Sequence, residues 1–103
     1  MLIVLGSVLA RHDTLEEARR LSTAHVERSR QEPGCISHAV YEAPDRPNQL
    51  VFVEEWDSEQ ALLQHFAVPA SQQFVNDLGR LSAARSRIRI YKADELPFPP
   101  KAP

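Results

Sequence analysis

The chain has 103 residues, 43% of them hydrophobic and 25% charged, with a formal net charge of −2. That length holds one domain, since natural domains mostly run from about 50 to 200 residues, and the proportions exclude disordered and fibrous classes. A slightly acidic chain lacks the clustered positive charge that phosphate backbones require, so nucleic acid is not an expected partner.

The single cysteine, Cys35, supplies neither an intramolecular disulfide nor a cysteine-rich metal site, and a cytoplasmic location is expected. The apolar start lacks a basic lead and runs into Arg11-His12-Asp13, so it reads as a strand rather than a secretion signal. No apolar run approaches the roughly 18 residues of a membrane span, so no membrane partner is expected.

Residues 2 to 10 are short, apolar and β-branched, the pattern of a strand covered on one face and partly on the other. Asp13-Thr14-Leu15-Glu16 has the form of a capping box, which predicts a helix running to about Glu32. Pro33-Gly34 stops it, because proline restricts the residue before it and glycine tolerates a left-handed turn. Two segments rich in Ile, Val, Phe, Tyr and Trp, Cys35 to Glu42 and Gln49 to Asp57, flank a loop with two prolines and predict a hairpin. Asp57-Ser58-Glu59-Gln60 opens a second helix that reaches about Ala67, is interrupted at Val68-Pro69 and resumes through Phe74, Leu78 and Leu81. Ser86 to Tyr91 returns to period two as a last strand.

The order β-α-β-β-α-β is that of the α+β, ferredoxin-like split βαβ fold: a four-stranded antiparallel sheet with both helices on one face. This core spans 1–93, followed by a proline-rich extended arm over 94–103. A chain this short cannot cover the second sheet face itself, which predicts a homodimer.

Glu32-Pro33-Gly34-Cys35, the proline-rich hairpin loop, Val53-Glu54-Glu55-Trp56-Asp57, and Ala61-Leu62-Leu63-Gln64-His65 up to Val68-Pro69 follow one another along the chain. Over about residues 2 to 92 this series resembles the antibiotic biosynthesis monooxygenase domain family. The resemblance implies a dimeric α+β barrel and, as in characterised members, cofactor-independent oxygenation of quinols or anthrones. Other branches isomerise small sugar-derived ketones or degrade haem. Pro69-Ala70-Ser71 departs from the Pro-His-Phe of many members. Against the haem-degrading branch, Ser7 aligns with an asparagine, and Phe74-Val75-Asn76-Asp77 offers no axial imidazole, so haem degradation is disfavoured.

On a helical wheel Leu15, Ala18, Leu21, Ser22, His25, Val26 and Ser29 share one arc, so His25 faces inward, either as a hydrogen-bonded core histidine or as a cavity wall. His65 stands just before the helix break, where freed backbone groups can open a pocket mouth, and the family resemblance falls on it. It reads either as a proton-transfer residue or as a helix-terminal histidine favoured by the dipole. Leu50, Phe52, Glu54 and Trp56 share one parity of their strand, so a carboxylate stands in an apolar row and needs a donor or cation; Arg85, Arg87 or Arg89 is the expected partner. The indole of Trp56 serves as core or as a flat wall for an aromatic substrate. His38 shares a face with Ile36 and Val40, as a packing partner or a donor to a substrate oxygen. Cys35 reads as a hydrophobe rather than a nucleophile. Arg85, Arg87 and Arg89 form a basic row that fits a solvated edge strand.

Glycines stand only at 6, 34 and 79, with no phosphate loop, and no histidine pair has metal-ligand spacing in sequence, so neither cofactor nor metal is expected. The expected protein is a homodimeric, cofactor-independent monooxygenase using molecular oxygen on a small quinol- or anthrone-like substrate. His65 or His38 removes the proton, Trp56, Phe52 and Phe66 wall the pocket, and His25, Glu54 and Ser7 complete it. A hydroxyketone isomerase, or a non-catalytic dimeric ligand-binding or stress-response module, are the rival readings.

Overall fold

A computed structural model describes all 103 residues. The elements run β1 (Leu2–Leu9), α1 (Leu15–Ser29), β2 (Cys35–Tyr41), β3 (Gln49–Trp56), α2 (Glu59–Ala67), α3 (Pro69–Leu81) and β4 (Arg87–Lys92). The strands form one antiparallel sheet in the order β2-β3-β1-β4. This is the α+β, ferredoxin-like arrangement expected from the element order, with the second helix divided into α2 and α3.

Strand pleating decides what faces the helices. Leu2, Val4 and Val8 of β1 and Leu50, Phe52, Glu54 and Trp56 of β3 are buried on that side. Two apolar clusters result. Val8, Ala10, Ala18, Val26, Leu50, Phe52 and Leu78 form one, and Leu2, Val4, Trp56, Ala61 and Leu62 form the other. Each fully buried large aliphatic or aromatic side chain contributes about 1.5–3 kcal/mol. The polar residues of the candidate site lie where these clusters meet.

Helix α1 buries Ala18, Ser22, His25, Val26 and Ser29, the inward arc read from the wheel. Its expected capping box does not form: the N-cap is Thr14 rather than Asp13, no side chain caps the helix, and the Thr14 hydroxyl is engaged elsewhere. It donates to the Leu81 carbonyl at 2.6 Å and accepts from the Arg11 amide at 3.0 Å, tying the helix start to the end of α3. The regular helix ends at Ser29 rather than Glu32. Backbone bonds from Arg30 to Val26, Gln31 to Arg28 and Glu32 to Ser29 nevertheless extend the winding by a turn. Gly34 then adopts φ 83°, and its carbonyl accepts the Asp57 amide at 2.9 Å. The turn after α1 is thereby pinned to the start of α2.

The cap of α2 does form: Ser58 Oγ accepts the Ala61 amide at 3.1 Å. Val68 is extended, as the residue before a proline prefers, and Pro69 opens α3, where a missing amide hydrogen costs nothing.

β4 is an edge strand and exposed throughout. Its pairing sets Ile88 and Ile90 opposite Gly6 and Val4, on the helix side, yet they are 57% and 50% exposed because no helix reaches them. On the opposite, open face of the sheet, Leu5 and Leu9 of β1 are exposed. Residues 94–103 are exposed and form neither helix nor strand, and no helix is long and apolar enough to cross a membrane.

Candidate active site

Three histidines from three elements meet beneath the helices: His25 of α1, His38 of β2 and His65 of α2. All are buried. Their ring centroids stand 5.3 Å apart for His25 and His38, 5.3 Å for His25 and His65, and 5.6 Å for His38 and His65. His25 stacks flat on Phe74 of α3 at 4.0 Å, and His65 lies against the Trp56 indole at 4.6 Å. The trio therefore bridges the two apolar clusters.

Each ring has a distinct polar neighbour. His65 Nδ1 lies 2.8 Å from Glu32 Oε1, a contact made because the turn after α1 is pinned beside α2. A carboxylate oxygen only accepts, so Nδ1 donates in this pair and Nε2 is the ring nitrogen left for other contacts. His25 Nδ1 lies 2.8 Å from an Arg28 Nη2. Arginine only donates, so this nitrogen accepts. His38 Nε2 approaches Glu54 Oε1 at 3.2 Å but off the line of a hydrogen bond, and neither ring nitrogen has a hydrogen-bond partner. Glu54 Oε1 accepts from Trp56 Nε1 at 2.9 Å. The arginine partner expected for Glu54 is not used. Arg87 and Arg89 pair with Ser7 and Leu5 of β1, whose parity is that of the opposite sheet face.

Electrostatics follow from this packing. Burial, and then the neighbouring His38, His65 and Arg28, push His25 down to about 3, so its ring is neutral. Burial pushes the Glu54 carboxyl up, but the His38 imidazole and the Trp56 indole N–H outweigh it and hold the group below the ordinary carboxylate value. Burial and the carboxylates of Glu54 and Glu32 push the Cys35 thiol up, which leaves it a poor nucleophile at neutral pH.

A cavity of about 540 Å³ opens over His25 and His65, bordered also by Phe52, Glu54, Phe66 and Ser7 among others. Ser7 belongs to the open-face parity of β1 and so borders the cavity from the strand backbone. Two residues expected at the pocket stand behind it instead. Trp56 is fully buried and backs His65, and His38 touches the cavity only through its neighbours. The bulge in β2 between Cys35 and Ser37 also separates His38 from Ile36, which is 53% exposed rather than sharing its buried face.

Sequence reasoning missed Glu32, Arg28, Phe74 and Ser71. Ser71 borders the cavity with a buried hydroxyl that has no partner. Phe74 carried helical spacing and could have been placed over His25. Glu32 and Arg28 gave no periodic signal, since their roles depend on a turn tied to a distant helix.

The arrangement provides an oriented base at the wall of a largely apolar pocket, able to remove a proton and shelter the resulting anion. A profile of the antibiotic biosynthesis monooxygenase family matches residues 1–77. The uncharacterized protein sll1783 of Synechocystis sp. is 38% identical over 94 residues, covering 91% of this chain, which spans 64% of that relative's length. Among solved structures, a candidate antibiotic biosynthesis monooxygenase from Deinococcus radiodurans superposes with a TM-score of 0.88 at 29% identity, covering 92% of this chain and 94% of that one. Rv0793 from Mycobacterium tuberculosis gives a TM-score of 0.85 at 26% identity, covering 91% and 95%. The chain belongs to the antibiotic biosynthesis monooxygenase family.

Proposed function

We propose that the protein is a cofactor-independent monooxygenase that uses molecular oxygen on a quinol- or anthrone-like aromatic substrate, with His65 as the base. The observation that carries this reading is the 2.8 Å contact between Glu32 Oε1 and His65 Nδ1 on a ring that borders the cavity. Oxygen reacts slowly with closed-shell molecules, whereas an anthrone or quinol that has lost a proton can pass it an electron. Removing that proton is the task the dyad fits. Phe52 and Phe66 offer apolar walls, Glu54 and His25 offer polar groups, and Ser7 stands at the rim. His38 and Trp56 hold His65 and Glu54 in place from behind. For an anthrone, the ring methylene loses two hydrogens and gains one oxygen atom, while the second oxygen leaves with those hydrogens as water. No external reductant is needed.

The proposed working unit is a homodimer formed through the open sheet face, where Leu5 and Leu9 of β1 stand exposed. Isotopically labelled dioxygen tests the chemistry. The reading expects one labelled atom in the oxidised product and no conversion without oxygen. Conversion that proceeds equally under anaerobic conditions contradicts it and identifies an isomerase.

A further inference from the structure

We propose that His25, His38 and His65 form a binding site for a single divalent first-row transition ion, with zinc as the representative cation. Such a site lies outside the oxygenase reading. Binding stands without it, and only the consequence, an ion occupying the lone pair of the base, rests on it.

Three observations point to a cation. One ring nitrogen from each histidine lies within 4.8 Å of the other two. Three imidazoles on a tetrahedral ion, with metal–nitrogen distances near 2.1 Å, place their ring centroids about 5.2 Å apart. The three separations here are 5.3, 5.3 and 5.6 Å. Rotations that bring the nitrogens to about 3.4 Å from one another complete the geometry with little movement of the rings as bodies. Second, both nitrogens of the fully buried His38 lack hydrogen-bond partners, a cost that a coordinate bond removes. Third, a carboxylate stands behind His65, where Glu32 Oε1 meets Nδ1, as in the carboxylate–histidine–metal arrangement that orients a ligand and adds negative charge, and Glu54 Oε1 at 3.2 Å from His38 Nε2 is near enough to take up that ring's N–H once it turns toward the ion. His25, His65 and Glu54 border the cavity, so the fourth position opens to water or a small ligand. Neutral imidazoles with carboxylate support suit zinc, cobalt, nickel or copper and not calcium or magnesium.

Arg28 is the competing group. Its guanidinium donates to His25 Nδ1, and whichever nitrogen of His25 binds the ion, the guanidinium must let go. A cation in the trio and the arginine exclude each other. This makes Arg28→Ala informative, because a variant that merely loosened the fold would not strengthen metal binding.

The test uses the full chain freed of metal with a chelator, titrated with zinc by calorimetry and with cobalt by visible absorption. The expected result is one equivalent bound, with the intense cobalt bands of a four-coordinate site. His38→Ala is expected to abolish those bands, and Glu32→Gln to weaken zinc about 10-fold or more through the ring it orients. Arg28→Ala is expected to tighten zinc by about 10-fold, the worth of one charge-assisted hydrogen bond. His12→Ala, which removes the exposed histidine outside the trio, leaves binding unchanged. Absence of stoichiometric binding, the weak cobalt bands of a six-coordinate surface site, or loss of binding in His12→Ala overturns the proposal. The cobalt spectrum of the unaltered protein decides the matter even if a histidine variant does not fold.

Discussion

Glu32 Oε1 and His65 Nδ1 lie 2.8 Å apart, joining the turn after α1 to the last turn of α2 behind the ring that borders the cavity. The contact fixes which nitrogen of His65 carries the proton and where the other points. Glu32→Gln is therefore expected to lower turnover by about 10- to 100-fold while leaving KM within a few-fold, because it disorients the base rather than the pocket. Steady-state kinetics check this, and a variant with unchanged turnover removes the dyad from the mechanism.

Trp56 combines core packing with a hydrogen bond to a buried carboxylate. Trp56→Phe keeps much of the apolar bulk and deletes the indole N–H that Glu54 accepts at 2.9 Å. The buried carboxylate then loses a donor, at an expected cost of about 1–3 kcal/mol in urea denaturation. A change within about 0.5 kcal/mol shows that Glu54 finds another donor or water.

Acid is expected to destabilise the fold in two ways with the same sign. His25 is held down to about 3 in the folded protein, against an ordinary value of 6.5. Between these the unfolded chain binds the additional proton, so stability falls as pH drops through about 6.5 toward 3. Glu54 is held below its ordinary value, so its contribution is present at neutral pH and is lost as pH falls through its folded value. His25→Phe is expected to flatten the upper part of this dependence. Denaturation midpoints measured from neutral pH downward check it, and a midpoint independent of pH across that range contradicts the assignment.

Gly34 is the tightest backbone position in the site's scaffold. At φ 83° a Cβ would run into Ala61 and stand 2.6 Å from Asp57 Oδ1, both at the start of α2. Gly34→Ala combines left-handed strain with displacement of that helix, and a loss of about 2 kcal/mol or more is expected. The same displacement separates Glu32 from His65, so turnover falls with stability. Thermal melts alongside kinetics check both.

Much of the fold was legible because it rests on short-range signals. The parity of β3 placed Leu50, Phe52, Glu54 and Trp56 together, the wheel placed His25 inward, and Val68-Pro69 marked the boundary between α2 and α3. The misreadings have physical causes. Asp13 to Glu16 has the pattern of a capping box, but the N-cap falls one residue later on Thr14, whose hydroxyl donates to the carbonyl of Leu81, 67 residues away. An arginine partner for Glu54 was the natural expectation along β4, yet strand register turns Arg87 and Arg89 to the other face, and Trp56 supplies the donor. The three histidines stand 13 and 27 residues apart in sequence, so no local spacing reveals that α1, β2 and α2 bring them together.

Oxygen consumption by metal-free, flavin-free protein, measured against a panel of quinols and anthrones and repeated with His65→Ala, tests the central claim most directly. The account predicts protein-dependent uptake with at least one substrate and a drop of about 100-fold or more in the variant. Uptake no faster than buffer across the panel, or a variant as fast as the unaltered protein, contradicts it.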